Sequence, residues 1–261
     1  MSALTPRKNR IRAAFSAAAS GYEAVAGMQD RVAAALASRL TLLTLPPGPV
    51  LEVGCGTGLL TRRLAAPLGP QRPVLATDLS PAMVAQTRAG LPPGSAIACA
   101  VMDAETPAIG TAHCALVVSS LAAQWFTDLP AAVATLARRL VPGGYLLLTL
   151  PGAGSFSEWT EAHHRLGFSP GTPDFPTAEA LQAMLPSGGQ GQIETTRLTE
   201  THPDALSFVR AVAALGAGVP RPGHRPLTAG QLRRVIAALG EPCRLSWVIH
   251  TLIYTREGGP A

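Results

Sequence analysis

An apolar run carrying one acid, three glycines at alternate positions, and a second apolar run closed by another acid constrain this chain more than anything else in it. Pro49–Val53 reads as a buried strand holding Glu52, Gly54, Gly56 and Gly58 as a turn, and Leu59–Leu68 as the helix that follows. Val74–Thr77 repeats the strand and delivers Asp78 at its carboxyl end. Strand, turn, helix and strand make the repeating unit of a parallel sheet, whose ligands lie at the carboxyl ends of the strands. Glycines let the backbone turn sharply and come close to a ligand there. Asp78 is then placed to grip two ribose hydroxyls.

The type of nucleoside ligand can be narrowed on the letters. A dinucleotide fingerprint, G-x-G-x-x-G, would need glycine at Leu59 or at Thr61, and both registers fail. A P-loop needs Lys followed by Ser or Thr after its last glycine, and Lys8 is the only lysine in the chain. A nucleoside site without a phosphate cradle points to S-adenosylmethionine. An ordinary glycine-rich turn is the bland alternative, and the two acids at their stations argue against it.

The remaining elements follow the same rhythm. A helix from Gln29 to Leu43 precedes the first strand, and Ser80 with Pro81 starts another that runs to about Arg88. Strands at Ala96–Val101, Ala115–Ser119 and Tyr145–Leu150 come next, with a helix from Asp128 to Leu140 and a turn at Pro142-Gly143-Gly144. After Pro151 come helices near Ser155–Leu166, Thr177–Met184, Asp204–Leu215 and Thr228–Leu239, with strands at Gln192–Leu198 and Arg244–Tyr254. The expected fold is α/β, a doubly wound and mostly parallel seven-stranded sheet in one domain. Residues 1–48 form an N-terminal helical lid, 49–150 the cofactor-binding core, and 151–261 an inserted helical cap plus the last two strands.

A chain of 261 residues with 47% hydrophobic content buries a full core. Its net charge of +5 rests on dispersed arginines without interleaved aromatics, so nucleic acid is not the expected partner and an acidic protein or small anion is. Cys55, Cys99, Cys114 and Cys243 form no C-x-x-C pair; they read as reduced core thiols in a cytoplasmic protein without a metal. Arg7, Lys8, Arg10 and Arg12 imitate a targeting peptide, but Ile11, Phe15, Ala18, Tyr22 and Val25 recur at helical spacing as in an amphipathic lid. No stretch approaches a membrane span.

With these elements in place the chain resembles the class I S-adenosylmethionine-dependent methyltransferases, and among them the malonyl-acyl-carrier-protein O-methyltransferases of biotin synthesis. The resemblance runs nearly end to end. It rests on Ala14-Phe15-Ser16, Tyr22-Glu23, the Glu52–Gly58 run, Asp78-Leu79-Ser80, Ser119–Trp125, Asp204-Ala205-Leu206 with Arg210 and Gly216, Pro226-Leu227-Thr228 and the closing Leu245–Glu257 segment. Ser120 stands where the family usually has Asn, and Gly216–Pro226 is unusually rich in Gly, Pro and Arg.

The resemblance implies that Gly54, Gly56 and Gly58 pass beside the methionyl part of S-adenosylmethionine, Glu52 orders that end, and Gln29 contacts its carboxylate. Asp78 holds the ribose, Asp103 reaches the adenine amino group, Met102 and Leu79 sandwich the adenine, and Ser119 belongs to the same pocket. Tyr22 and Trp125 wall the transfer chamber. Arg210 is the candidate for orienting the acceptor's carboxylate, because a guanidinium fork matches one. His163 and His164, adjacent on a helix, read as surface side chains. The implied acceptor is a malonyl thioester on an acyl-carrier protein, docked through Arg221, Arg225, Arg233 and Arg234, with S-adenosylhomocysteine as product and a monomeric enzyme. Two rivals remain at this stage: a methyltransferase of small metabolites, and a cofactor-binding protein without turnover.

Overall fold

The structure, a computed structural model, describes residues 4–69 and 71–258. Its sheet has seven strands: β1 (Val50–Val53), β2 (Val74–Asp78), β3 (Ile97–Val101), β4 (Cys114–Ser120), β5 (Leu140–Pro151), β6 (Gly189–His202) and β7 (Cys243–Arg256). Their order is β3-β2-β1-β4-β5-β7-β6. The first five pair in parallel, and β7 runs antiparallel between β5 and β6. Every residue of β1 is buried, as is β4 from Cys114 to Ser119, because helices cover both faces of these central strands. The chain order reverses between β1 and β4, and a crevice opens at their carboxyl ends.

Two apolar layers hold the helices on the sheet. On one face Val133 and Leu136 of α5 (Leu129–Ala137) pack against Val117, Leu146 and Leu148. On the other, Leu36 and Leu40 of α2 (Gly27–Leu40) and Leu64 of α3 (Thr61–Leu68) meet Val50, Leu116 and Leu147. Helix α4 (Pro81–Ala89) starts where Ser80 Oγ accepts the Met83 N–H, with Pro81 at its first position. A third cluster joins the cap, made of α6 (Ser157–Arg165), α7 (Ala178–Ala183), α8 (Ala205–Ala214) and α9 (Ala229–Leu239), to the lid. In it Phe156, Phe208 and Trp247 pack with Met28 and Val32 of α2.

The lid departs from its sequence reading. Its first helix, α1 (Pro6–Ala18), stops at Ser20-Gly21, and Tyr22–Ala24 form a separate single turn, so the apolar spacing from Ile11 to Val25 is not one helix. The turn at Pro142–Gly144 is absorbed into a bulged start of β5, where Gly143 takes a φ of +76° and the register with β4 shifts between Cys114 and Leu116. β6 and β7 pair over 14 residues each, from Gly189↔Arg256 to His202↔Cys243, well beyond the apolar runs that signalled them. Among the described residues no helix is long and apolar enough to cross a membrane, and no group of His, Cys, Asp and Glu is placed to hold a metal.

Candidate active site

A cavity of about 120 Å³ fills the crevice between β1 and β4, floored by the glycine turn and roofed by the lid. Gly54 makes the floor possible. Its φ is +69°, and a Cβ there would overlap that of Ala122 in the loop after β4. Gly56 also takes a positive φ of +56°, and its N–H reaches 2.9 Å to Asp78 Oδ2. Ser80 donates its N–H to Asp78 Oδ1 at 2.8 Å. The Asp78 carboxylate is thus fixed between the glycine turn and the start of α4. Burial raises its pKa, against the hydrogen bonds from the Ser80 and Gly56 N–H groups.

Glu52 stands deeper on β1. It is 1% exposed, it lines the cavity, and its Oε2 has no hydrogen-bond partner. Burial, with the charge of Asp78 adding to it, pushes its pKa up to about 7. Gln29 on α2 also lines the cavity with a buried amide oxygen left without a partner. Buried polar atoms without partners in a cavity wall mark where a ligand donates.

The roof and far wall are aromatic. Phe15 of α1 meets Trp125 edge to face, with ring centroids 5.4 Å apart, and Tyr22 joins them in the lining. Burial and then the charge of Asp78 raise the Tyr22 pKa, so its phenol stays neutral. After β4, Leu121 takes a positive φ of 52°, uncommon for a side chain of its size, and Gln124 Nε2 donates to its carbonyl at 2.6 Å. Leu79, Met102 and Asp103 line the same cavity.

Three of the expected site residues lie elsewhere. Ser119 is fully buried under Gly54, and its neighbour Ser120 lines the cavity instead, since alternate residues of a strand face opposite sides. Gly58 sits behind the turn, with Thr87 and Arg62 atoms 3.3 Å from where its Cβ would be. Arg210 is exposed on α8 and does not line the cavity. Ala205 and Phe208 face inward there, and a position two residues past Phe208 points to the other side of a helix. His163 is buried, not on the surface, with Nδ1 2.8 Å from the Trp159 carbonyl, whereas His164 is exposed. Cys99 is only half-buried, on the edge strand β3; Cys55, in the cavity wall, has its thiol pKa raised well above normal by burial.

Lys8 and Glu105 line the cavity without having been singled out from the sequence. The one available signal was Lys8 itself, a single lysine in a chain rich in arginine. Four carboxylates, of Glu52, Asp78, Asp103 and Glu105, therefore share this cavity with one cation. An excess of negative charge in an enclosed site favours a cationic ligand.

Comparison with known proteins agrees with this geometry. A family described as Methyltransferase domain matches residues 50–144. The malonyl-acyl-carrier-protein O-methyltransferase of Magnetococcus marinus is 38% identical over 241 residues, covering 89% of this chain and 86% of that protein. The chain belongs to that family. The biotin biosynthesis bifunctional protein BioCD of Bordetella avium is 43% identical over 225 residues, 85% of this chain, although the chain spans only 47% of that protein. Among solved structures, the YcgJ protein of Bacillus subtilis has the same fold, with a TM-score of 0.64 at 16% identity over 88% of this chain and 99% of that one. The matched methyltransferase domain, residues 50–144, ends inside β5 and contains Trp125, so the lid that roofs the cavity lies outside it.

Proposed function

We propose that the protein is an S-adenosylmethionine-dependent O-methyltransferase that esterifies the free carboxylate of a malonyl thioester on an acyl-carrier protein, in the cytoplasm and as an early step of biotin synthesis. The observation that carries the reading is the switch-point cavity with Glu52 Oε2 buried and without a partner, Asp78 pinned at the next strand end, and acids in excess of cations. These residues fit the cofactor: Glu52 accepts from its ammonium, Asp78 from the ribose hydroxyls, and Asp103 from the adenine amino group, while Gln29, expected at the cofactor's carboxylate, has its amide oxygen without a partner and suits the neighbouring ammonium instead. A carboxylate that accepts such bonds makes charge-assisted contacts, stronger than neutral ones. The bound cofactor supplies a methyl group on a positively charged sulfur.

Phe15, Tyr22 and Trp125 close the chamber above that point and keep water out. A malonyl carboxylate is ionised near neutral pH, so the chain needs no general base and its task is alignment. Among the described lining residues Lys8 alone is cationic, and it is already paired with two acids. The acceptor's charge is therefore not matched by an arginine of the chamber wall. Esterification hides that charge, and a fatty-acid elongation system then takes the product as an apolar primer. Arg225 and Arg233 are exposed on the cap and suit an acidic carrier; Arg221 is tied to Ser169 Oγ at 2.8 Å and Arg234 lies over the Phe168 ring at 5.4 Å.

The deciding experiment incubates the protein with labelled S-adenosylmethionine and malonyl-, succinyl- or acetyl-carrier protein. Mass spectrometry should find a methyl ester on the malonyl chain and none on the acetyl chain, which has no free carboxylate. Labelling of a small metabolite in place of any carrier-bound acid would overturn the reading.

A further inference from the structure

Lys8 connects three walls of the cavity. It is the only lysine of the chain and 9% exposed, and from the start of α1 its Nζ lies 2.6 Å from Asp103 Oδ2 and 2.6 Å from Glu105 Oε2, in the loop after β3. Both carboxylates are anchored by their other oxygen. Asp103 Oδ1 accepts the Glu105 N–H at 3.0 Å, and Glu105 Oε1 accepts the N–H groups of Thr127 and Asp128 at 3.1 and 3.0 Å. Asp128 then caps α5, directly after the turn that carries Trp125. The lid, the loop at the adenine end and the segment behind Trp125 therefore meet at one ammonium group.

Two carboxylates this close and this dry repel each other, and a shared cation between them removes the repulsion and sets their orientation. Each oxygen of Asp103 has one partner and a second lone pair to spare. We infer that Lys8 is a positioning residue for the methyl transfer: it holds the Asp103 carboxylate in the orientation that reads the exocyclic amino group of the nucleobase, and by the same contact it keeps α1 down as the roof. The inference rests on Asp103 facing the adenine, as in the proposed function. A purely structural ion pair would stabilise the roof and leave base selectivity alone.

Calorimetric titration with S-adenosylhomocysteine and with its inosine analogue, in which an oxygen replaces the amino group, separates these roles. The wild type should prefer the amino compound. In Lys8→Met its affinity should fall about tenfold, as for a lost charge-assisted contact, while the inosine analogue loses little and the selectivity ratio collapses. Lys8→Arg should restore part of the ratio. Lys8→Gln keeps the reach without the charge and allows the same comparison if Lys8→Met does not fold. Equal losses for both ligands, with the ratio intact, overturn the inference. A wild type that does not distinguish the two ligands removes instead the reading of Asp103, and the inference with it.

Discussion

Glu52 carries the clearest pH signature of any single residue. Its carboxyl ionises near 4.5 in an unfolded chain and at about 7 in the fold. Between those values the folded state keeps a proton that the unfolded state has released, so rising pH favours unfolding until the carboxyl ionises in both. Melting temperatures of the ligand-free protein should therefore decline across that window, and Glu52→Gln should flatten the decline. Binding runs the other way: if the ionised form accepts from the cofactor's ammonium, calorimetric affinity weakens as pH drops below about 7, whereas Glu52→Gln binds weakly at every pH. Arg210 gives the opposite kind of prediction. Because it points to solvent, Arg210→Ala should leave the rate of methyl transfer to a malonyl coenzyme A thioester within about twofold of wild type, as for a surface substitution. A loss of several orders of magnitude in a rapid-quench assay would place it back at the acceptor. Position on α8 decided this, and no residue type announces which face of a helix it will occupy.

Between elements, the lid is fastened by contacts that a one-dimensional reading does not reveal. Gly216, just past α8, takes a φ of +71°, and a Cβ there would lie 2.7 Å from the Ala14 carbonyl oxygen of α1. Ser16 Oγ and Ser80 Oγ are 2.7 Å apart, joining α1 to the cap of α4, and Glu23 pairs with Arg62 at 2.9 Å. Gly216→Ala combines an unfavourable backbone conformation with a clash against backbone, at a cost of about 1–3 kcal/mol. Denaturation should register that loss, and limited proteolysis should cut α1 sooner than in wild type. The strands, the glycine turn and the capped starts of α4 and α5 were legible in the sequence because each is specified locally, by Ser80 with Pro81 or by Asp128. The break at Ser20-Gly21 was not, since an apolar spacing of helical period continues across it.

The whole molecule carries a net charge of +5, and the carrier protein it is proposed to meet is acidic. Long-range attraction of this kind is screened by salt. Reversing Arg225 and Arg233 to Glu should raise the KM for carrier-bound malonate severalfold, erase most of its salt dependence, and leave the coenzyme A thioester nearly unaffected. Steady-state kinetics at two ionic strengths would check this, and an unchanged KM would move docking to another face. What the sequence determined alone is the cofactor half: a buried strand, a glycine turn and an acid at the end of the next strand belong to one strand-turn-helix-strand unit, so their mutual geometry follows once β1 and β2 pair. The tertiary structure decided the rest. Lys8 meets Asp103 across 95 residues, Arg210 turns outward, Ser120 replaces Ser119 in the cavity wall, and α1 rests on Gly216. Each of these depends on how separate elements pack, and packing is set by the whole apolar core and by no local stretch of it.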